Sequence, residues 1–494
     1  MFPKDDGNFV LKAHHTKFYA INRFKKYATS YGESKVSLKS DGIRPHTKCR
    51  HCSFLWKSEL HGLGLLASLK PGIGRYIWLF TLLVGFSVAI FLTALMVQEF
   101  FSKNTTTLVK IQRDNTILYP AVTLCPKSSD TFNVSAVRED IWSFKPALPK
   151  KTIDKLIIYT LAGGGIDNYG PLIENFSESD IIELSGLLQY WANKKGSLAN
   201  VYKFILEDVN YTCKDFLLDC SYGGNTIDCC DAFKPTYVLL RGRCFTLNNY
   251  YQKDPDEIGK IGLVIGSLPS AFISNQTNQE QLVVYISDSR YDIALFPRFY
   301  LNVLDWNRFR FKEQQYVLMS GDSQCNNSLD YNGRSSCFIN YWLQQHVYSK
   351  YKCTFWYMKY HSPNIEICDP SIIIKNYNSI MPVDIQNVPC LQSCTRSETS
   401  IELLSRPFNP KLAGISQDTF PLFRIEMSYT NLQTELYKEI VTTTLPGFIS
   451  QIGGHSGLFL GFTIITALQF IIILIKVIKR KYYYYKENDL KFTS

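Results

Sequence analysis

Two long runs without a charged side chain constrain this 494-residue chain more than any other feature. Arg75 is followed by 23 uncharged residues, Tyr76 to Gln98. Pro446 to Ile475 gives another 30, with neutral His455 among them. A bilayer core is crossed by roughly 20 apolar residues in helical form. Both runs therefore read as membrane spans. The first begins too far along the chain to be a cleaved leader and reads as a signal anchor.

Charge sets the orientation. The net charge is +10, but it is unevenly placed. Residues 1–75 carry 14 Lys and Arg against 5 Asp and Glu, and residues 476–494 carry 6 against 2. Residues 99–445 carry 33 against 36. Basic flanks stay on the cytosolic side, so both termini are expected in the cytosol of a multi-pass plasma-membrane protein. Two spans return the chain to the side on which it started, in agreement with that. The expected order is a cytosolic tail (1–75), a span (76–98), an extracellular domain (99–445), a second span (446–475) and a cytosolic tail (476–494). The positive surplus is thus a topology signal facing membrane lipid, and nucleic acid is not an expected partner.

Cysteines and sequons give an independent reading of the same topology. Twelve of the 14 cysteines lie in residues 99–445, an even, dense set that fits disulfides in an oxidising compartment. All six N-x-[ST] sequons fall there too. Asn104 lies too near the membrane for modification, which leaves Asn133, Asn175, Asn210, Asn275 and Asn326 as expected glycosylation sites.

The second span is not a plain anchor. Gly453, Gly457 and Gly461 recur every four residues and share a helix face. Small residues let helices approach closely, which is also how a simple dimerisation face is built. They weaken the helix as well, and freed carbonyls in a membrane need protein or water as partners. Carbonyl rings facing water can replace an ion's hydration shell. Two spans cannot enclose a pore alone, so a channel requires an oligomer. Gly454-His455-Ser456-Gly457-Leu458 has the outline of a hydrolase nucleophile elbow, but Leu458 stands where Gly is needed and no strand precedes it. No enzyme activity and no cofactor are expected. In the N-terminal tail, His46, Cys49, His51 and Cys52 form one short cluster without a second half, so no metal site is assigned. Strands are expected at 116–124, 237–247, 262–265 and 281–285, and helices at 179–193 and 338–357.

Four segments together resemble the degenerin / epithelial sodium channel / acid-sensing channel family over about residues 60–475. They are His61-Gly62, Tyr119-Pro120-Ala121-Val122-Thr123-Leu124-Cys125, Gly242-Arg243-Cys244-Phe245-Thr246-Leu247-Asn248, and Gly453-Gly454-x-x-Gly457-Leu458-Phe459-Leu460-Gly461. The resemblance implies an α+β fold. Two transmembrane helices would flank a large disulfide-rich extracellular domain of palm, β-ball, finger, thumb and knuckle, in a trimeric channel. It implies cation conduction with sodium preferred, permeant Na+ rather than a cofactor, and amiloride sensitivity. It places the selectivity filter at Gly461-Phe462-Thr463, where Phe462 is bulkier than the family's usual small residue. Ser450, Gln451, Gly453, Gly454, Gly457 and Gln469 would line the pore and gate, and His61-Gly62 would form a re-entrant gating motif. Gln451 and Gln469 stand where relatives often carry carboxylates, which points to weaker divalent binding or to partner subunits. The resemblance pairs Cys125–Cys244, Cys220–Cys229, Cys325–Cys394 and Cys353–Cys390. It leaves Cys213, Cys230, Cys337 and Cys368, which spacing alone allows to pair in three ways, with Cys213–Cys230 and Cys337–Cys368 the expected set.

The family opens to peptides, protons or mechanical load, or constitutively. The Asn-, Lys-, Tyr- and Ile-rich chain points to an invertebrate, cnidarian-like subunit, so an extracellular neuropeptide is the expected stimulus of a homo- or heterotrimer. The competing readings are proton gating, constitutive or mechanical opening, an ATP-gated two-span trimeric channel and a non-conducting two-span adhesion protein. The Gly-Gly-x-x-Gly-Leu-Phe-x-Gly segment argues against the last two.

Overall fold

The computed structural model describes residues 65–66, 69–273, 277–319, 325–383, 388–407, 422–466, 468, 471–472, 474–475, 478–479 and 482. The chain divides into two compact units, residues 1–93 with 451–494, and residues 94–450.

In the first unit the chain enters helix α1, Ile73–Ser102, which runs on into the second. Thirty residues at 1.5 Å each make it about 45 Å long. Among the described residues it is the one helix long and apolar enough to cross a membrane unbroken. Ala89 is its one buried residue, while Phe80, Leu83 and Phe91 are each more than half exposed. A bare apolar helix is unstable in water and suited to lipid.

The second unit is α+β. Strands are β1 Thr105–Arg113, β2 Ile117–Leu118, β3 Ala121–Pro126, β4 Leu217–Tyr222, β5 Asn225–Thr226, β6 Phe233–Val238, β7 Gly242–Leu247, β8 Tyr251–Gln252, β9 Ile261–Gly266, β10 Gln281–Ser287, β11 Arg298–Asn302, β12 Asp305–Val317, β13 Cys325–Asn326, β14 Gln392–Ser393, β15 Thr395–Pro407 and β16 Leu422–Val441. One sheet has the order β15-β12-β16-β9-β4-β5, with β1 also on β16. A second is β11-β10-β3-β7-β6, and β2–β8 and β13–β14 form two short two-stranded pairs. Inward residues of the two large sheets, among them Phe245, Phe309, Met427 and Tyr429, make one core together with Tyr119 from the link before β3. A second core lies among the helices α2 Val134–Phe144, α3 Lys150–Gly163, α4 Glu178–Lys195 and α5 Arg334–Leu343. Trp191 and Trp342 are buried in it.

Local chemistry explains the element ends. Ser177 caps α4 with Asp180 in a reciprocal capping box, and Lys194 and Lys195 sit at its negative C-terminal end. The strand expected at 237–247 is instead the hairpin β6–β7, turned at Leu239–Arg241 with Leu240 at φ +64°. Its run of β-formers concealed the turn. The strand expected at 116–124 is broken at Pro120, which has no N–H for a ladder. The helix expected at 338–357 starts earlier, at Arg334. It then widens into a π turn over Gln344–Tyr348 and stops before Lys352, which takes φ +56°.

Six disulfides staple this unit: Cys125–Cys244, Cys213–Cys230, Cys220–Cys229, Cys325–Cys394, Cys337–Cys390 and Cys353–Cys368. The last two correct the expected Cys353–Cys390 and Cys337–Cys368. Thr354 N–H donates to the Glu366 carbonyl at 2.9 Å, and Cys368 N–H donates to the Thr354 carbonyl at 3.0 Å. These bonds close a local loop that brings the Cys353 and Cys368 Cα atoms to 4.7 Å. Cys337, at the start of α5, is left for Cys390.

Candidate pore segment

The start of the uncharged 446–475 run is positioned by the strand that follows α1. β1 pairs antiparallel with β16 over its whole length, from Thr105 opposite Val441 to Arg113 opposite Gln433. Beyond the ladder, Thr442 N–H and Oγ1 both donate to the Asn104 carbonyl at 2.9 Å. Thr443 Oγ1 donates to Glu99 Oε1 at 3.0 Å, and the rings of Phe100 and Phe448 stack 4.3 Å apart. The end of α1 and the start of the next helix, α6 Leu445–Leu460, are therefore held side by side. At the base of this ladder Glu439 accepts from Thr105 Oγ1 at 2.6 Å and from Met319 N–H at 2.8 Å, which hold its carboxyl below the usual range.

The 30-residue uncharged run does not form one helix. α6 ends at Leu460, Gly461-Phe462-Thr463 is non-helical, and helix resumes at Ile464. Gly461 sits at φ +63°, a left-handed conformation that costs other residues about 1–2 kcal/mol. Its N–H donates to the Gly457 carbonyl and that of Phe462 to the Ser456 carbonyl, both at 3.1 Å, which closes the upper helix. The lower helix is opened by a pair of threonines. Thr466 N–H donates to Thr463 Oγ1 at 3.3 Å, Thr463 N–H donates to Thr466 Oγ1 at 3.4 Å, and the two hydroxyls lie 3.0 Å apart. This reciprocal cap gives the hydroxyl of Thr463 a helix-starting role. Thr466 was missed in the sequence. Its signal was the Thr-x-x-Thr spacing, hidden inside an apolar run read as a single span.

Among the described residues, nothing covers the glycine face of α6 at Gly453 and Gly454. A Cβ built on Gly453 or Gly454 would meet nothing within 4 Å. Ser450, Gln451, Gly453 and Gly454 are exposed, and Gly457 is partly so. Close packing of this helix occurs elsewhere: a Cβ on Gly85 of α1 would lie 3.4 Å from the Phe459 carbonyl oxygen. Phe462 is 39% exposed, and Thr463 is exposed too. Three predicted positions, His61, Gly62 and Gln469, lie outside the described residues.

Among the expected glycosylation sites, Asn133 and Asn175 are exposed and Asn326 is partly so, whereas Asn275 lies outside the described residues. Asn210 is a correction. It is 7% exposed, its Nδ2 donates to the Leu206 carbonyl at 3.2 Å, and its Oδ1 accepts from Tyr211 N–H at 2.9 Å. A buried, doubly bonded carboxamide has no room for a glycan.

One carboxyl of the large sheet is tuned by its surroundings. Glu313 stands at the bulge where the parallel β12–β16 register shifts. It accepts from Tyr429 Oη at 3.1 Å and Thr399 Oγ1 at 3.4 Å. Burial raises its pKa, Tyr429, Ser397 and Thr399 oppose the rise, and nearby Asp114 adds to it. The folded state therefore favours the protonated acid. That contribution to stability is fully present below the unfolded carboxyl's pKa and is lost as pH rises through the raised folded value. Glu313→Gln is expected to raise the melting midpoint at pH 7.4 and to flatten the gain in midpoint seen on mild acidification. Melting of the full chain from pH 4.5 to 8 checks it; an unchanged pH slope would contradict it.

The family model for the amiloride-sensitive sodium channel matches residues 54–473. The chain is 21% identical to the bile acid-sensitive ion channel of Mus musculus over 465 residues, covering 85% of this chain and 86% of that protein. It is 25% identical to the sodium channel protein Nach of Drosophila ananassae over 222 residues, covering 43% of this chain and 39% of that protein's length. A solved proton-activated chloride channel aligns at 10% identity and a TM-score of 0.28, over 82% of this chain and 99% of that one, too low a score to support any argument. With the family model spanning most of the sequence, this chain belongs to the amiloride-sensitive sodium channel family.

Proposed function

We infer that the chain is a subunit of a trimeric plasma-membrane channel that conducts cations, with sodium preferred, past Gly461-Phe462-Thr463. The observation that carries this reading is the break of an uncharged 30-residue run into two helices at those three residues. Broken backbone at membrane depth is tolerated where it lines a water-filled cavity or is buried in protein. The uncovered face at Gly453 and Gly454 supports an assembly in which other subunits or water meet that face. Both termini are cytosolic in this reading, and residues 99–445 face outward.

The opening stimulus in this reading is an extracellular neuropeptide, favoured by the slight acidic excess of residues 99–445, which suits a basic peptide. Proton gating is the second reading, and the raised pKa of Glu313 favours it. Recording from oocytes expressing this chain, alone and with related subunits, separates them through steps of RFamide-type peptide, acid and amiloride. A peptide-evoked current that reverses near the sodium equilibrium potential and is blocked by amiloride supports the first reading. Current evoked by acid alone replaces it with the second. Silence to every stimulus, with or without partners, despite surface expression, argues against a conducting subunit.

A further inference from the structure

A cavity of about 500 Å³ opens where the end of β10, the loop after it, the start of α5 and strand β15 meet, all within the unit of residues 94–450. Its volume falls within the roughly 300–1,000 Å³ of small-molecule sites. Its floor is apolar. Ile286 and Leu295 come from β10 and the loop, Phe338 from α5, and Ile401 from β15. The first three are at most 8% exposed.

The charges at its rim are not equivalent. Glu398 is already paired, with its Oε1 2.5 Å from Arg396 Nε. Asp288 Oδ1 accepts from the hydroxyls of Ser287 and Ser335, each at 3.2 Å. Arg334, the first residue of α5, is exposed and makes no hydrogen bond or ion pair among the described residues, although the Tyr331 hydroxyl lies near enough to feel its charge. A guanidinium offers five N–H donors in a fork that matches a carboxylate with two parallel hydrogen bonds. The apolar floor suits a hydrophobic body, and the open guanidinium suits an anion.

We propose that this cavity binds a small amphipathic carboxylate from the extracellular solution, with its apolar body against Leu295 and Phe338 and its carboxylate on Arg334. Such a ligand would bridge α5 and β15, which meet at the cavity. Asp288 on the same rim defines the competing ligand, an amphipathic amine. Binding is measured directly, so the result does not depend on whether the chain conducts.

The test uses the purified full chain in lipid nanodiscs and one apolar body with three head groups: 1-naphthaleneacetate, its amide and 1-naphthylmethylamine. Calorimetric titration is expected to show saturable binding of the carboxylate, one per chain, about tenfold tighter than the amide or the amine, the worth of a charge-assisted hydrogen bond. Arg334→Gln should bring the carboxylate to the amide's affinity and leave the amide unchanged. Its melting midpoint should equal the parent's, since the side chain is exposed. Tightest binding of the amine, equal binding of carboxylate and amide, unaltered carboxylate binding by Arg334→Gln, or no saturable binding would each overturn the proposal.

Discussion

Gly461→Val is expected to reduce current at least about tenfold while surface expression stays near that of the parent. The parent residue takes φ +63°, where a β-branched side chain is strongly disfavoured. Continuing the helix through Leu460–Ile464 relieves that strain, at a cost of about 1–2 kcal/mol if it is left in place. A continuous helix pairs the carbonyls that the gap leaves open and removes the Thr463–Thr466 cap. Gly461→Ala, with a smaller side chain and no branching, should show a milder loss. Voltage-clamp recording beside surface biotinylation checks the pair. A valine variant that conducts like the parent would show that the break is not needed.

Removing Cys125–Cys244 should have the second large effect, on folding rather than conduction. Cys125 and Cys244 are at most 1% exposed and join adjacent strands, β3 and β7, across 119 residues of chain. Loop entropy in the unfolded state makes such a link worth about 5 kcal/mol, against about 3 kcal/mol for a nine-residue loop. Cys220–Cys229 closes such a short loop. The double variant Cys125→Ser with Cys244→Ser is expected to lose most mature surface protein, and Cys220→Ser with Cys229→Ser clearly less. Quantitative surface labelling ranks them; equal retention of both would contradict the loop argument.

The parts of this molecule that were legible in the sequence are those governed by simple counting. Uncharged length marks α1, and cysteine and sequon partition marks the staple-rich unit. Periodicity found α4 within two residues, because its apolar spacing and Ser177 cap agree. The errors arise where a local device overrides composition. Pro120 divides a run of strand formers, a turn at Leu239–Arg241 folds another into a hairpin, and the π turn after Leu343 alters a helix that continuous spacing had implied. The two disulfide corrections have the same origin. A backbone bridge between Thr354 and Ile367 decides which cysteine Cys353 meets, and that bridge leaves no mark in cysteine spacing. Asn210 carries a correct sequon, but sequons are read without burial. The weakening of the 446–475 run was legible from Gly453, Gly457 and Gly461. The family resemblance put a filter, not a helix break, at Gly461-Phe462-Thr463, and Thr466, which restarts the helix, was not seen at all.

If the broken 446–475 segment lines an ion path, a cysteine at Ser450 should report it most directly. Ser450 is exposed on α6, one residue before Gln451 and one turn above the Gly453–Gly454 face. In Ser450→Cys, a bulky cationic thiol reagent applied from outside should change the evoked sodium current severalfold, either blocking the path or holding it open, while the parent current is unaffected. An unchanged current in Ser450→Cys, with mass spectrometry showing the thiol modified, would contradict the assignment of this helix to the pore.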